Sequence, residues 1–128
     1  MPFGEYKSVT YKRDFESFQS VFRHWEFSTI DFEKLNIENN DFIYADPPYD
    51  VEFRQYSSAG FVWEDQVCLS KWIESLNVPA VISNQATERI VKLYKSMNLK
   101  LIFLEGPRMI SCNGNRDPAR EVLALKVP

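Results

Sequence analysis

Apolar positions recur along this chain with two periods, one helical and one strand-like. Phe15, Phe18, Phe22 and Trp25 share a helical face behind Asp14, which predicts a helix with Asp14 as N-cap and a core-facing aromatic stripe. Glu26 to Ile30 reads as a short strand and Asp31 to Leu35 as a helical turn, followed by a loop at Asn36 to Asn40. Asp41 to Ala45 is an apolar run stopped by Pro47-Pro48, which predicts a buried strand whose carboxyl end opens into a loop. Helical spacing returns at Leu69, Trp72, Ile73 and Leu76, within a helix from Glu64 to Leu76 that has Glu64 and Asp65 at its positive end. It returns again at Ile90, Val91, Tyr94 and Met97, within a helix from Thr87 to Met97. Between these helices Pro79 to Ser83 reads as a parallel strand, with Ser83-Asn84 capping the helix that follows. Lys100 to Leu104 is a further strand, broken by Gly106-Pro107, and Val122 to Val127 is a last one, antiparallel to it. The fold class expected is α/β, a mostly parallel sheet with a C-terminal antiparallel hairpin.

Composition narrows the picture. A chain of 128 residues, 45% hydrophobic and 15% aromatic, buries one core and is expected to form a single domain over 1–128. A net charge of −3 means that any contact with nucleic-acid phosphates needs a local basic face. Lys7, Lys12 and Arg13, or Arg108, Arg116 and Arg120, would supply one. Cys68 and Cys112 make no disulfide framework, and a single histidine, His24, without Cys/His spacing predicts no metal. With no apolar run near about 18 residues and no leader, no membrane span is expected and the location expected is cytoplasmic.

The candidate chemistry lies in Asp46-Pro47-Pro48-Tyr49. Proline lacks an N–H and has a fixed φ, and it pushes the residue before it into an extended conformation, so the segment is stiff and presents acceptors. The Asp46 carboxylate and the Pro47 carbonyl could bind both N–H groups of an exocyclic amine, pull its nitrogen toward tetrahedral geometry and free the lone pair. Tyr49 would stack on the base. The competing reading is a polyproline-like turn after a strand. Asp50 to Val62 is longer than a minimal strand-to-helix connection, and Arg54, Tyr56 and Phe61 are its candidates for a phosphate contact and aromatic walls.

These four residues resemble the catalytic motif of DNA amino-methyltransferases, and three further stretches are similar to the Dam-type adenine-N6 enzymes. The stretches are Pro2 to Lys7, Val81 to Asn84, and Arg108 to Gly114 followed by Glu121 to Leu125, in family order along nearly the whole chain. The resemblance implies a partial Rossmann-like fold dependent on S-adenosylmethionine, and adenine-N6 methylation of double-stranded DNA in a phage or restriction-modification setting. Asp46, Pro47, Pro48 and Tyr49 would be catalytic, with Asp46 also meeting the cofactor. Tyr6, Lys7, Arg54, Phe61, Arg108, Ser111 and Asn113 would contact DNA or the base, and Ser83-Asn84 would lie at the edge of the active-site cleft, the alternative to the favoured capping role. Residues 1–10 would end the target-recognition region, although Glu5 stands where the family commonly has a basic residue. Cytosine-N4 methylation uses a similar motif, and the other blocks favour adenine.

Only Gly4, Gly60, Gly106 and Gly114 are present, and no two lie close enough to build a glycine-rich cofactor loop. In the family that loop precedes the Asp-Pro-Pro-Tyr strand, so the chain is expected to be the C-terminal half of such an enzyme. Its Asp46-bearing strand would then be an open edge that pairs with a separately encoded N-terminal half or with a second copy. The alternative is a catalytically inactive remnant that binds DNA or a partner.

Overall fold

The computed structural model describes residues 15–50, 60–106 and 119–127. They belong to two compact units, Met1–Ile30 and Asp31–Pro128.

In the first unit α1 spans Glu16–Phe22, with Phe15 at its N-cap position and no side-chain cap; Asp14, the expected cap, lies outside the described residues. The rings touch in series, Phe15 to Phe18 at 6.4 Å, Phe18 to Phe22 at 6.2 Å and Phe22 edge-on to Trp25 at 5.2 Å. The stripe is nevertheless not core, for Phe15 and Trp25 are each 57% exposed and α1 buries no residue. Rings so close in sequence shield one another and little else. The strand expected over Glu26 to Ile30 is irregular chain with Phe27 and Ile30 exposed, because no described strand pairs with it.

In the second unit the Asp31 carboxylate accepts the Glu33 N–H at 3.1 Å and starts a single 3-10 turn, Phe32–Lys34. Then come β1 (Ile43–Ala45), α2 (Trp63–Ser75), β2 (Ala80–Gln85), α3 (Glu88–Ser96), β3 (Lys100–Gly106) and β4 (Ala119–Lys126). At the start of α2 the Asp65 carboxylate accepts the Val62 N–H at 2.7 Å, and at the start of α3 the Thr87 hydroxyl accepts from the Ile90 N–H at 3.3 Å. At the end of α3, Asn98 takes the left-handed conformation at φ 55°. The Asn98 and Leu99 N–H groups then return to the Lys95 and Tyr94 carbonyls, a Schellman closure that aims the chain into β3.

The sheet order is β1-β2-β4-β3. β1 and β2 are parallel, whereas β4 runs antiparallel to both β2 and β3. The expected antiparallel pairing of the last two strands is present. The sheet is mixed, however, with one parallel ladder and two antiparallel ones, instead of mostly parallel. β4 turns back into the slot between β2 and β3, where its backbone N–H and C=O groups find partners on both sides.

Side chains alternate across the strands. On one face Ala45, Ile82, Ala124 and Leu101 lie in register, and α2 and α3 add Leu69, Ile73, Ile90, Leu93 and Tyr94 to make the core. Trp72 packs partly buried against that core, edge-on to Phe32 at 5.4 Å. On the other face the register aligns Tyr44 with Val81 and Leu125, Ser83 with Leu123 and Ile102, and Gln85 with Leu104 by way of Glu121. Tyr44 is 60% exposed, so β1 is a half-open outer strand, not the buried one expected. Among the described residues no helix is long and apolar enough to cross a membrane.

Candidate functional site

β1 delivers Asp46 at its carboxyl end, with the carboxylate exposed to solvent. Its Oδ1 accepts a 2.5 Å hydrogen bond from the Ser83 hydroxyl on neighbouring β2, and the Ala45 carbonyl lies 3.4 Å from the same hydroxyl. The Tyr49 phenol lies close enough to the same hydroxyl for Ser83 to influence its titration. Burial raises the Tyr49 pKa above its ordinary value; the Ser83 bond opposes that shift, while the negative charges of Glu121 and Asp46 add to it. Tyr49 is therefore a neutral phenol at physiological pH. Pro47 is buried between them and Pro48 is exposed.

Ser83 and Asn84 are consecutive on β2, so they point to opposite faces of the sheet. Ser83 meets Asp46 on the open face. Asn84, fully buried on the helix-covered face, grips the far end of the same segment. Its Oδ1 accepts the Asp50 and Gln85 N–H groups, each at 2.9 Å, and its Nδ2 donates to Gln66 Oε1 at 3.1 Å and to the Tyr94 hydroxyl at 3.2 Å. Gln66 Nε2 then donates to the Pro48 carbonyl at 2.8 Å. Both donors and both acceptor positions of the Asn84 amide are used. Burial pushes the Tyr94 phenol up to about 12.

Asp50 closes the segment from inside the protein. Its buried carboxylate accepts from the Thr87 hydroxyl at 3.0 Å and from Arg89 Nε at 2.5 Å, and pairs with Arg89 Nη2 as well. The Arg89 guanidinium lies 4.7 Å from the Trp63 ring, joining the starts of α2 and α3.

Asp46, Pro47, Pro48 and Tyr49 are thus brought to one point, and Phe61 packs partly buried against the core. Tyr6, Lys7, Arg54, Tyr56, Arg108, Ser111 and Asn113 lie outside the described residues. Ser83 and Asn84 do not cap α3, contrary to expectation. β2 continues to Gln85, which keeps the pair inside the strand and leaves the cap to Thr87. Sequence reasoning passed over Gln66, although a glutamine at helical spacing from Leu69 and Ile73 places an amide on a buried stripe. Asp50 and Arg89 carried no comparable signal.

Elsewhere, Lys92, Lys95, Phe103 and Arg120 help to line an open groove of about 570 Å³, with the Arg120 guanidinium 4.1 Å over the Phe103 ring. Among the described residues no group of three His, Cys, Asp or Glu side chains could hold a metal ion. The site offers a carboxylate, backbone carbonyls and an aromatic ring, a set suited to holding an amine.

The profile of the D12 class of N6 adenine-specific DNA methyltransferases matches residues 1–105. The chain belongs to that family. The stretch matched to the D12 class contains β1, Asp46 to Tyr49, Gln66 and Ser83-Asn84. The chain is similar to the Retron Ec67 DNA adenine methylase of Escherichia coli, at 28% identity over 132 residues, covering 98% of this chain and 46% of that protein. It is also similar to the Type II methyltransferase M1.LlaDCHI of Lactococcus lactis subsp. cremoris, at 32% identity over 117 residues, covering 80% of this chain and 41% of that protein. This D12-class chain thus spans less than half the length of these curated relatives.

Proposed function

We propose that the chain forms the amine-accepting side of an S-adenosylmethionine-dependent DNA adenine-N6 methyltransferase, within a Rossmann-like catalytic fold whose target-recognition region ends over residues 1–10. The observation that carries this reading is the Asp46 carboxylate, exposed at the carboxyl end of β1 and held there by the Ser83 hydroxyl at 2.5 Å, in a D12-class chain. The E. coli relative's name, DNA adenine methylase, supports adenine as the base.

An adenine rotated out of the duplex presents its N6 amine at this strand end. Asp46 and the Pro47 carbonyl accept its two N–H groups, which draws the nitrogen lone pair out of conjugation. Tyr49 stacks on the ring. S-adenosylmethionine, when bound, supplies an electrophilic sulfonium methyl to that nitrogen. Asp46 or water then takes the N6 proton, which methylation has made acidic. No side chain of unusual pKa is needed as a base.

The described residues fit the methyl end of the cofactor, since an exposed carboxylate suits a sulfonium cation. They contain no glycine-rich strand-to-helix turn for its nucleoside end: β1 runs into Pro47-Pro48 and β2 into Ala86-Thr87. That end falls to residues outside those described or to another chain. The outer edge of β1 and the open apolar face beside it suit a partner, either a separately encoded N-terminal half or a second copy. Double-stranded DNA is the substrate, and Tyr6, Lys7, Arg54, Phe61, Arg108, Ser111 and Asn113 are its proposed contacts.

The test is transfer of labelled methyl from S-adenosylmethionine to adenine-unmethylated DNA by the chain, alone and with a D12-type N-terminal half. Label on adenine N6 that disappears in Asp46→Ala, with the fold kept, is the expected result. Transfer retained in Asp46→Ala, or no transfer under either condition, overturns the reading.

A further inference from the structure

We propose that Asn84, acting with Gln66, is a positioning residue that sets the backbone of Pro48 to Asp50 and thereby the Pro47 carbonyl and the Tyr49 ring. The inference rests on the methyl-transfer reading above and adds to it a pair of residues that never touch the base.

Two prolines stiffen the segment but supply no N–H of their own to anchor it. Among the described contacts, the Pro48 carbonyl is held by Gln66, and the next amide past Tyr49, that of Asp50, is held by Asn84. Asn84 also orients Gln66: its Nδ2 takes the Gln66 Oε1, which obliges the Gln66 NH₂ to face Pro48. Tyr94 accepts the remaining Asn84 proton from α3, so α2, β2 and α3 all fix one amide. The four groups are buried or nearly so, and among the described residues no buried side-chain nitrogen or oxygen lacks a partner. A fully bonded network of this kind has one low-energy arrangement, because any rotation leaves an amide unpaired away from water. Tyr49 is therefore held through its flanking backbone, by Gln66 on the Pro48 carbonyl before it and by Asn84 on the Asp50 amide after it. Base stacking and amine capture then need no rearrangement of the loop when adenine arrives.

The test begins with backbone amide exchange in the full chain without cofactor or DNA, so that it does not depend on methyl transfer. Asn84→Leu keeps the volume and removes every bond. Gln66→Met removes the hold on Pro48 and one partner of the Asn84 amide while leaving the Asn84 bond to Asp50, and it is the fallback if Asn84→Leu does not fold. Ser70→Ala, which removes a hydroxyl bonded to the Gln66 backbone carbonyl at 2.7 Å on the same helix, is the structural control. The Asp50 amide should exchange about tenfold faster in Asn84→Leu, and faster to a smaller degree in Gln66→Met, relative to the amides of Ile82 and Val122. In Ser70→Ala that ratio should stay unchanged. Methylation of adenine-unmethylated plasmid DNA should lose kcat by about tenfold to a hundredfold in both variants, with KM kept. An Asp50 amide that exchanges no faster than in Ser70→Ala, or a normal kcat once its protection is lost, overturns the proposal. If the wild-type chain methylates nothing, the methyl-transfer reading has failed, and the exchange ratio alone still decides whether the clamp exists.

Discussion

On the helix-covered face of the sheet Ile82, Val122 and Ala124 are fully enclosed, whereas across the strands Tyr44, Ile102 and Leu104 keep between 40% and 60% of their surface in solvent. The strands are comparably apolar on both sides, so local hydrophobicity does not separate the faces; the presence of α2 and α3 does. The difference organises the site. The covered face holds the rigid half, in which Asn84, Gln66, Tyr94 and Asp50 bond one another out of reach of water. The open face holds the accessible half, in which Ser83 presents an exposed Asp46. Since β2 alternates, two adjacent residues serve both halves. A carboxylate that must meet a ligand needs access, and a backbone that must not move needs burial.

The largest effect that would test this contrast is loss of core volume. Ile82→Ala should cost about 2–5 kcal/mol in urea unfolding, and Leu104→Ala on the open face less than about 1 kcal/mol. Equal costs would mean that the open face is covered in solution, and sedimentation would then reveal an assembly. The next effect concerns pH. Tyr94 is held protonated in the folded chain up to about 12, above its ordinary 10.0. Its contribution is therefore whole below pH 10, and it drains between pH 10 and 12 because the unfolded chain loses that proton first. Stability should fall through that window by roughly 1.4 kcal/mol per pH unit from this group, and Tyr94→Phe should remove its share of the slope.

A smaller change is expected for Ser83→Ala, about 1 kcal/mol of stability for a partly exposed bond. Its signature is different in kind: the Tyr49 phenol should titrate at higher pH, since the Ser83 bond is what opposes the upward pull of burial and of the neighbouring carboxylates. A phenol titration that stays put would break the Ser83 bridge. The smallest effect belongs to Tyr44→Lys, within about 0.5 kcal/mol in the isolated chain. If a partner strand pairs with β1, that substitution should weaken the assembly while leaving the monomer's unfolding curve in place.

Strong periodicity makes several segments legible in the sequence. Helices expected near Glu64 to Leu76 and Thr87 to Met97 are α2 and α3 within a residue or so of their ends, and the strands at Ala80, Lys100 and Val122 are present as well. The aromatic stripe from Phe15 to Trp25 misleads because spacing reveals that residues share a face but not what covers it. Ser83 and Asn84 mislead for a related reason. Both residue types are good caps, and only the length of β2 shows that they remain in the sheet.

From its sequence alone the chain declares a stiff acceptor motif at a strand end, the helices and strands around it, and a family resemblance that the D12-class match over residues 1–105 bears out. These are properties of neighbouring residues, fixed by φ restriction, side-chain type and period. Tertiary structure alone decided that β4 inserts between β2 and β3, that one face of the sheet stays open, and that Gln66, Asn84, Tyr94 and Asp50 meet beneath the motif. Those outcomes depend on contacts between residues far apart in sequence, as in Ala80 with Lys126 across β2 and β4 or Asp50 with Arg89, and no local pattern encodes which distant partner will arrive.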